Sequence, residues 1–415
     1  MRKIAIISFS PLYMDARVLR QITALSRRDK VIALAFGPRP ALPEDVDFHE
    51  LEQEAQTTAA APLQRSARRW AARAARLALR PALRIIRGVC PGLAYEWSYW
   101  RKPLHRGAFK RLVEAKPDII HANDWHTLPL AMKAARKVQA RVVADLHEYA
   151  PFEFAEDPAF VQREQPQAVF FLKKNLPQVS AAITVSQPFA KRYRTDFGCD
   201  FEVVLNAPAL AQGIAFRPTD PNVIRIVHHG VLQKGRHPER MIEALALSEP
   251  RFRLDFLLIA WDEQYLRDFQ QLAERLAPGR ISVRTPVPPN RLVESLNAYD
   301  LGLCMMPANN YSREYTIPNR FFDAIGAGLA VFVGPSPEMV RLISEYECGF
   351  VSNSFEPEDM RKLLNSLTAD DIDRKKRGSL RAREFLNADV EMQKLLGLYQ
   401  RVEEEGAGVR SGPGR

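Results

Sequence analysis

The sequence predicts an α/β protein of two doubly wound domains facing a central cleft. Apolar, β-branched runs alternate with helical patterns almost from end to end. The runs are near-continuously apolar rather than alternating with polar residues, as in parallel strands covered on both faces. Twelve such runs are too many for one ordinary sheet, and 415 residues suffice for two domains.

In the first half the strand candidates are "KIAIIS" (3–8), "KVIALAF" (30–36), "DIIHA" (118–122), "RVVADL" (141–146), "AAITV" (181–185) and "FEVVL" (201–205). In the second half they are "VIRIVHH" (223–229), "FRLDFLLI" (252–259), "RISVR" (280–284), "DLGLCM" (300–305), "LAVFVG" (329–334) and "CGFVS" (348–352). Helical patterns fill the gaps, among them 15–27, 127–137, 237–248, 288–298 and 318–327. The Pro- and Gly-bearing stretch 206–222 reads as a linker. The expected organisation is an N-terminal domain over 1–210 with an insert at 63–111, and a C-terminal domain over 211–385. A helix at 386–404 then crosses back to the first domain, and a disordered tail covers 405–415.

Composition narrows the class. A hydrophobic share of 46% is that of a globular protein with real cores. Cys90, Cys199, Cys304 and Cys348 lack metal-ligand spacing and read as packing residues in a reducing compartment. The net charge of +10 is local: residues 63–111 hold 13 Lys and Arg against one acid, Glu96, and the rest of the chain is slightly acidic. Nucleic acid is therefore not an expected partner. No apolar run is long enough for a membrane span, and the first residues do not form a secretory signal.

Ligands of doubly wound sheets bind outside the carboxyl ends of the strands, so polar residues in those loops are the candidate site residues. The first loop lacks G-x-G-x-x-G, and its Asp15 suits a helix cap as well as a site. "HANDWHTLP" crowds His121, Asn123, Asp124 and His126 together, as in a polar cleft wall or a capped loop. His147 and Glu148 follow the run 141–146. In the second half Gly230 precedes a short basic loop with Lys234 and Arg236, which leads into a helix near Pro238. A cation beside a helix N-terminus makes an anion pocket. Arg320 stands at a second helix start, in "TIPNRFFDAIGAGLAVFVG" (316–334), with Asp323 one turn further.

Several of these stretches, in order, resemble the GT-B glycosyltransferases of the retaining group-1 (family 4) type. "HHGVLQKGR" is similar to that family's glycine-plus-cation loop, and "PNRFFDAIGAGLAVFVG" to its carboxylate helix, Glu-x7-Glu followed by Ala-x-Gly-x-Pro-Val. "VPPNRLVESLNAYDLGLCMMP", "DIIHANDWHTLP", "DLHEYAP" and "ITVSQPF" resemble further landmarks, and only 38–116 is unmatched. The resemblance implies two Rossmann-like domains and a nucleotide diphosphate sugar as donor substrate, with no cofactor and no metal. Asp323 takes the place of the glutamate on the donor ribose. Arg236 takes that of the loop cation on the diphosphate, with Arg320 also near phosphate and the backbone around Ile317 and Asn319 facing it. His147 matches the histidine near the anomeric centre, with Glu148 and Asp124 as further candidates for acceptor contacts or a base. The chain departs from the pattern in four places: the first glutamate falls at Tyr315 with Glu314 one residue off, Asp323 is shorter than Glu, Val231 stands for Arg, and Ala330 for Pro.

The insert owes nothing to the family. Arg65, Arg69, Arg73, Arg76, Arg80, Arg84 and Arg87 recur at steps of four and three, and Tyr95, Trp97, Tyr99 and Trp100 follow. Arginines with aromatics beside an apolar face suit an interfacial element on an anionic membrane. A docking surface for an acidic polysaccharide or a protein is the competing reading. The expectation is thus a cytoplasmic glycosyltransferase, peripheral to the inner face of the plasma membrane, acting on a lipid-linked or cell-surface glycan acceptor. A nucleotide-sugar 2-epimerase and a non-catalytic nucleotide-binding scaffold are the alternatives.

Overall fold

The structure is a computed structural model that describes residues 1–52 and 90–410. Two parallel sheets organise it. The first contains seven strands: β1 (Lys3–Pro11), β2 (Lys30–Phe36), β3 (Asp47–Leu51), β4 (Ile119–Asn123), β5 (Arg141–Asp145), β6 (Ala181–Thr184) and β7 (Glu202–Val203), in the order β3-β2-β1-β4-β5-β6-β7. The second contains six: β8 (Ile224–Val231), β9 (Phe252–Ile259), β10 (Ile281–Arg284), β11 (Leu301–Cys304), β12 (Ala330–Val333) and β13 (Gly349–Val351), in the order β10-β9-β8-β11-β12-β13. Each sheet reverses its winding once, between β1 and β4 and between β8 and β11. These are the crevices where a doubly wound sheet takes its ligand.

Both faces of each sheet are covered. Ile4, Ile6, Val31, Val143 and Ile183 pack on one face of the first sheet, and Ala5, Ile7, Leu34, Ile120 and Val142 on the other. In the second, Ile226, Leu254, Phe256 and Phe332 oppose Val227, Leu257, Val331 and Val333. β3 lies outside the twelve expected strands because "DFHEL" pairs on one side only, with β2, and carries polar residues.

The chain leaves the first sheet through 204–222 and returns at Ala388, whose N–H donates to the carbonyl of Pro208. The last helix, Ala388–Arg410, seats Met392, Leu395, Leu398, Tyr399 and Val402 in the core of the first sheet. It continues to Arg410, so the stretch expected to be disordered from 405 is helical for six residues more.

The basic stripe falls outside the described residues, including Arg69, Arg73, Arg76 and Arg80. Its aromatic end is described, as the helix Pro91–Trp100. Trp97 is 44% exposed and Leu93 66%. Trp100 corrects the expectation of a membrane-facing ring: it packs inward, over Lys133 and edge-on to Phe109, with its indole N–H on Glu96. Among the described residues no helix is long and apolar enough to cross a membrane.

Candidate active site

The carboxyl ends of the two sheets face each other across a cleft of about 530 Å³. The second sheet supplies Gly230, Arg236, Met306 and the segment Thr316–Arg320 with Asp323, and the first supplies Arg17, His147 and Glu148. Leu257, Ile259, Pro286, Val287 and Leu292 form an apolar wall beyond Gly230.

The cations are built into the strand ends. Gly230 has φ +126, a region that favours glycine, and a Cβ there would stand 3.0 Å from Nη2 of Arg320. This glycine lets the guanidinium lie against the end of β8. His228 of the same strand orients it. Its Nδ1 is 2.9 Å from the carbonyl of Leu303 and donates to it, which leaves Nε2 to accept from Nη1 of Arg320 over 2.6 Å. Burial, then the Arg320 charge, holds His228 well below its ordinary pKa, so it is neutral as this arrangement needs. Arg236 ends the single helical turn Lys234–Arg236, and its buried Nε has no hydrogen-bond partner. Burial, then neighbouring Arg320 and Arg313, lowers it to about 10, still a cation at neutral pH.

The helix Asn319–Gly326 begins between these cations, and no side chain caps it. Gly302 on β11 lets it approach: a Cβ there would meet that of Ala324 at 2.5 Å. Gly328, with φ +73, turns the chain into β12, whereas Gly326 packs on Pro208 and Val293 and not on the strand. Asp323 lies one turn in, 14% exposed and 3.7 Å from His229 Nε2. Burial pushes its carboxyl up to about 7, against the pull of Arg20 and Arg320. The same burial, then Arg320, lowers His229 to about 3 and leaves it neutral.

Across the cleft, His147 puts Nδ1 3.7 Å from Asp124 and Nε2 3.5 Å from Asp145. Burial opposes its charge, but the two carboxylates raise it to about 9. Glu148 accepts from the Thr316 hydroxyl at 3.3 Å, while its Oε2 is buried without a partner. Burial pushes Glu148 up to about 7, partly offset by His147. Asp124 stands behind His147 rather than in the cleft lining, with a left-handed φ of +62 where its helix begins.

Six expected site residues lie elsewhere. His121 and Asn123 are fully buried, because β4 is a central strand whose side chains enter covered faces. Asp15 caps the helix Ala16–Ser26 through the N–H of Val18. Lys234 points away, 4.8 Å over the Tyr265 ring and 3.8 Å from Asp262. Glu314 is absent from the cleft lining, as is Tyr315: their helix, Tyr311–Tyr315, docks on the first domain through Tyr311, which packs on Tyr149 and Phe152. Thr316 takes the cleft position instead. Arg17, Asp145, Asn206, His229 and Thr316 were not singled out beforehand. Only the charge of Arg17 inside an apolar helical pattern offered a signal.

The Glycosyltransferase Family 4 model matches residues 16–207, and the Glycosyl transferase-like model matches 234–396, one on each sheet. The chain is a GT-B glycosyltransferase. Solved structures agree in fold along its whole length. Anabaena Alr3699/HepE, in complex with UDP and glucose, superposes with a TM-score of 0.67 at 15% identity, covering 97% of this chain and 100% of that one. Sucrose-phosphate synthase from Thermosynechococcus elongatus gives 0.67 at 13% identity, over 98% and 100%. WaaG, a glycosyltransferase involved in lipopolysaccharide biosynthesis, gives 0.57 at 14% identity, over 99% and 100%. No curated protein sequence matches this glycosyltransferase.

Proposed function

We propose that this glycosyltransferase takes its sugar from a nucleoside diphosphate sugar and passes it, with retention of configuration, to a lipid-linked or cell-surface glycan acceptor. The donor half of this reading is carried by one observation: two guanidiniums, one with an unpartnered buried Nε, flank an uncapped helix N-terminus at the switch point of the second sheet. Arg236, Arg320 and the N–H groups around Ile317 and Asn319 hold the diphosphate and stabilise the charge that grows on it as the glycosidic bond breaks. Asp323 meets the ribose hydroxyls, and the apolar wall from Leu257 to Leu292 receives the base. The UDP and UDP-glucose complexes of Alr3699/HepE, a protein of the same fold, support this placement.

His147 faces the sugar as an imidazolium. Glu148, with a pKa of about 7, exchanges a proton with the acceptor hydroxyl, and Asp124, behind His147, supports its charge. No metal is needed for a leaving group so neutralised. A lipid-linked acceptor, and with it a peripheral location at the inner face of the plasma membrane, is supported by the basic stripe in the sequence and by the exposure of Leu93 and Trp97 in the helix that follows it in the chain. Incubation with a panel of nucleotide sugars tests the whole reading. Slow donor hydrolysis with release of the nucleoside diphosphate is expected. Formation of an epimeric nucleotide sugar, or binding without turnover, overturns it.

A further inference from the structure

Behind the cleft, one buried carboxylate is contacted from three elements besides its own. Asp145 closes β5 and is fully buried. Its Oδ1 accepts from Arg17 Nη2 at 2.9 Å, and its Oδ2 from Arg17 Nε at 2.9 Å and Gln21 Nε2 at 2.5 Å. From β4, His121 brings Nε2 to 3.5 Å of Oδ2, and its Nδ1 lies 2.7 Å from the Tyr399 hydroxyl of the last helix. On the cleft side stands His147, with Nε2 3.5 Å away. Arg17 gives its remaining nitrogen to the carbonyl of Val204 at 2.7 Å. It lines the cleft, with each of its three nitrogens already bonded to the protein behind it.

A carboxylate buried this deeply persists only when its partners over-determine it. We infer that Asp145 is the positioning residue for His147: clamped by Arg17 and Gln21 and backed by the His121–Tyr399 pair, it holds Nε2 of His147 inward and so fixes the ring where it lines the cleft. The catalytic consequence rests on the placement of His147 at the reacting sugar. The charged groups facing His147 are Asp145 from β5, Asp124 from the helix Asp124–Val138, Glu148 and Glu153 from its own loop, and Arg17 from the helix Ala16–Ser26. Among these Asp145 alone is both an anion and fully buried, so its hold on the ring is not screened by solvent. The last helix thereby enters the active site as its outermost support through Tyr399.

The test is histidine NMR titration of the full chain, paired with donor kinetics. In Asp145→Asn the His147 midpoint falls by at least about one pH unit. Its kcat falls at least about tenfold, while the donor KM and nucleoside diphosphate affinity stay within about twofold. His147→Ala loses turnover as well, and the double variant is no worse than His147→Ala alone. An unchanged His147 midpoint in Asp145→Asn overturns the inference. So does an unchanged kcat there when His147→Ala is inactive. Full turnover in His147→Ala would instead remove His147 from the reaction, and the midpoint alone then decides whether Asp145 holds the ring. If Asp145→Asn does not fold, Asp124→Asn decides, since that carboxylate is partly exposed and outside the buried cluster. A midpoint that stays above that of free histidine supports Asp145; one that drops to about 6.5 assigns the hold to Asp124 and overturns the inference.

Discussion

Arg320 donates a 2.6 Å hydrogen bond to Nε2 of His228, a histidine kept neutral by burial and by that same charge. One residue of the helix Asn319–Gly326 is thereby tied to β8, with Gly230 leaving room for the contact. The two cations of the donor site consequently differ. Arg236 is unpartnered at Nε, whereas Arg320 also supports the fold.

Arg236→Ala and Arg320→Ala should each weaken nucleoside diphosphate binding by about 1.5–3 kcal/mol, the range for charge-assisted hydrogen bonds. The thermal midpoint of the unliganded protein should hold in Arg236→Ala. It should fall in Arg320→Ala, which leaves the His228 nitrogen buried and unpaired. Calorimetry with UDP, GDP and ADP decides the first point; parent-like binding by both variants removes the diphosphate site from this cleft.

Gly230→Ala should lower nucleoside diphosphate affinity by at least about tenfold, or about 1.4 kcal/mol, with the circular dichroism spectrum preserved. The added methyl meets the Arg320 guanidinium at 3.0 Å on a backbone with positive φ. Parent-like affinity would mean that Arg320 does not need its present position.

Asp323 makes stability depend on pH. Its carboxyl, raised from 3.8 to about 7, binds a proton more tightly folded than unfolded. The stabilisation is full below pH 3.8 and is lost as pH rises through 7. Asp323→Asn should therefore flatten the fall in the unliganded midpoint between pH 4 and 8, making the variant more stable than the parent at pH 8 by about 1–4 kcal/mol. Identical slopes for the two proteins would show that Asp323 is not held in a desolvated site.

His147→Ala should reduce turnover by at least about a hundredfold, in the range for a residue acting at the reacting centre, while UDP alone binds as in the parent. Loss of UDP binding in this variant would move His147 from the sugar to the diphosphate.

Anionic vesicles should sediment the parent at low salt and release it as salt rises. Replacing Arg69, Arg73, Arg76 and Arg80 with Gln should abolish sedimentation, leave donor binding intact, and reduce transfer to lipid acceptors more than to soluble analogues. A parent that stays in the supernatant makes an acidic glycan the better acceptor.

Features that depend on local pattern could be read from the chain before any folding. Near-continuous apolar runs separated by helical stretches dictate parallel, doubly covered sheets, and residues at strand ends are the ones that reach a crevice. Gly230, Arg236 and His147 were legible for that reason, and Arg320 and Asp323 through a helix start and the family resemblance. Tertiary structure decided which polar residues face the cleft. His121 and Asn123 sit on β4 and are as polar as His147, yet a central strand turns them into covered faces. Lys234 and Arg236 are two residues apart in one turn, and only the docked loop sends one outward and the other inward. Glu314 was misplaced because Tyr311 anchors its helix to the other domain. Arg17 and Asp145 are 128 residues apart, and nothing local marks them as partners: a buried ion pair exists only once the fold has excluded water from both charges.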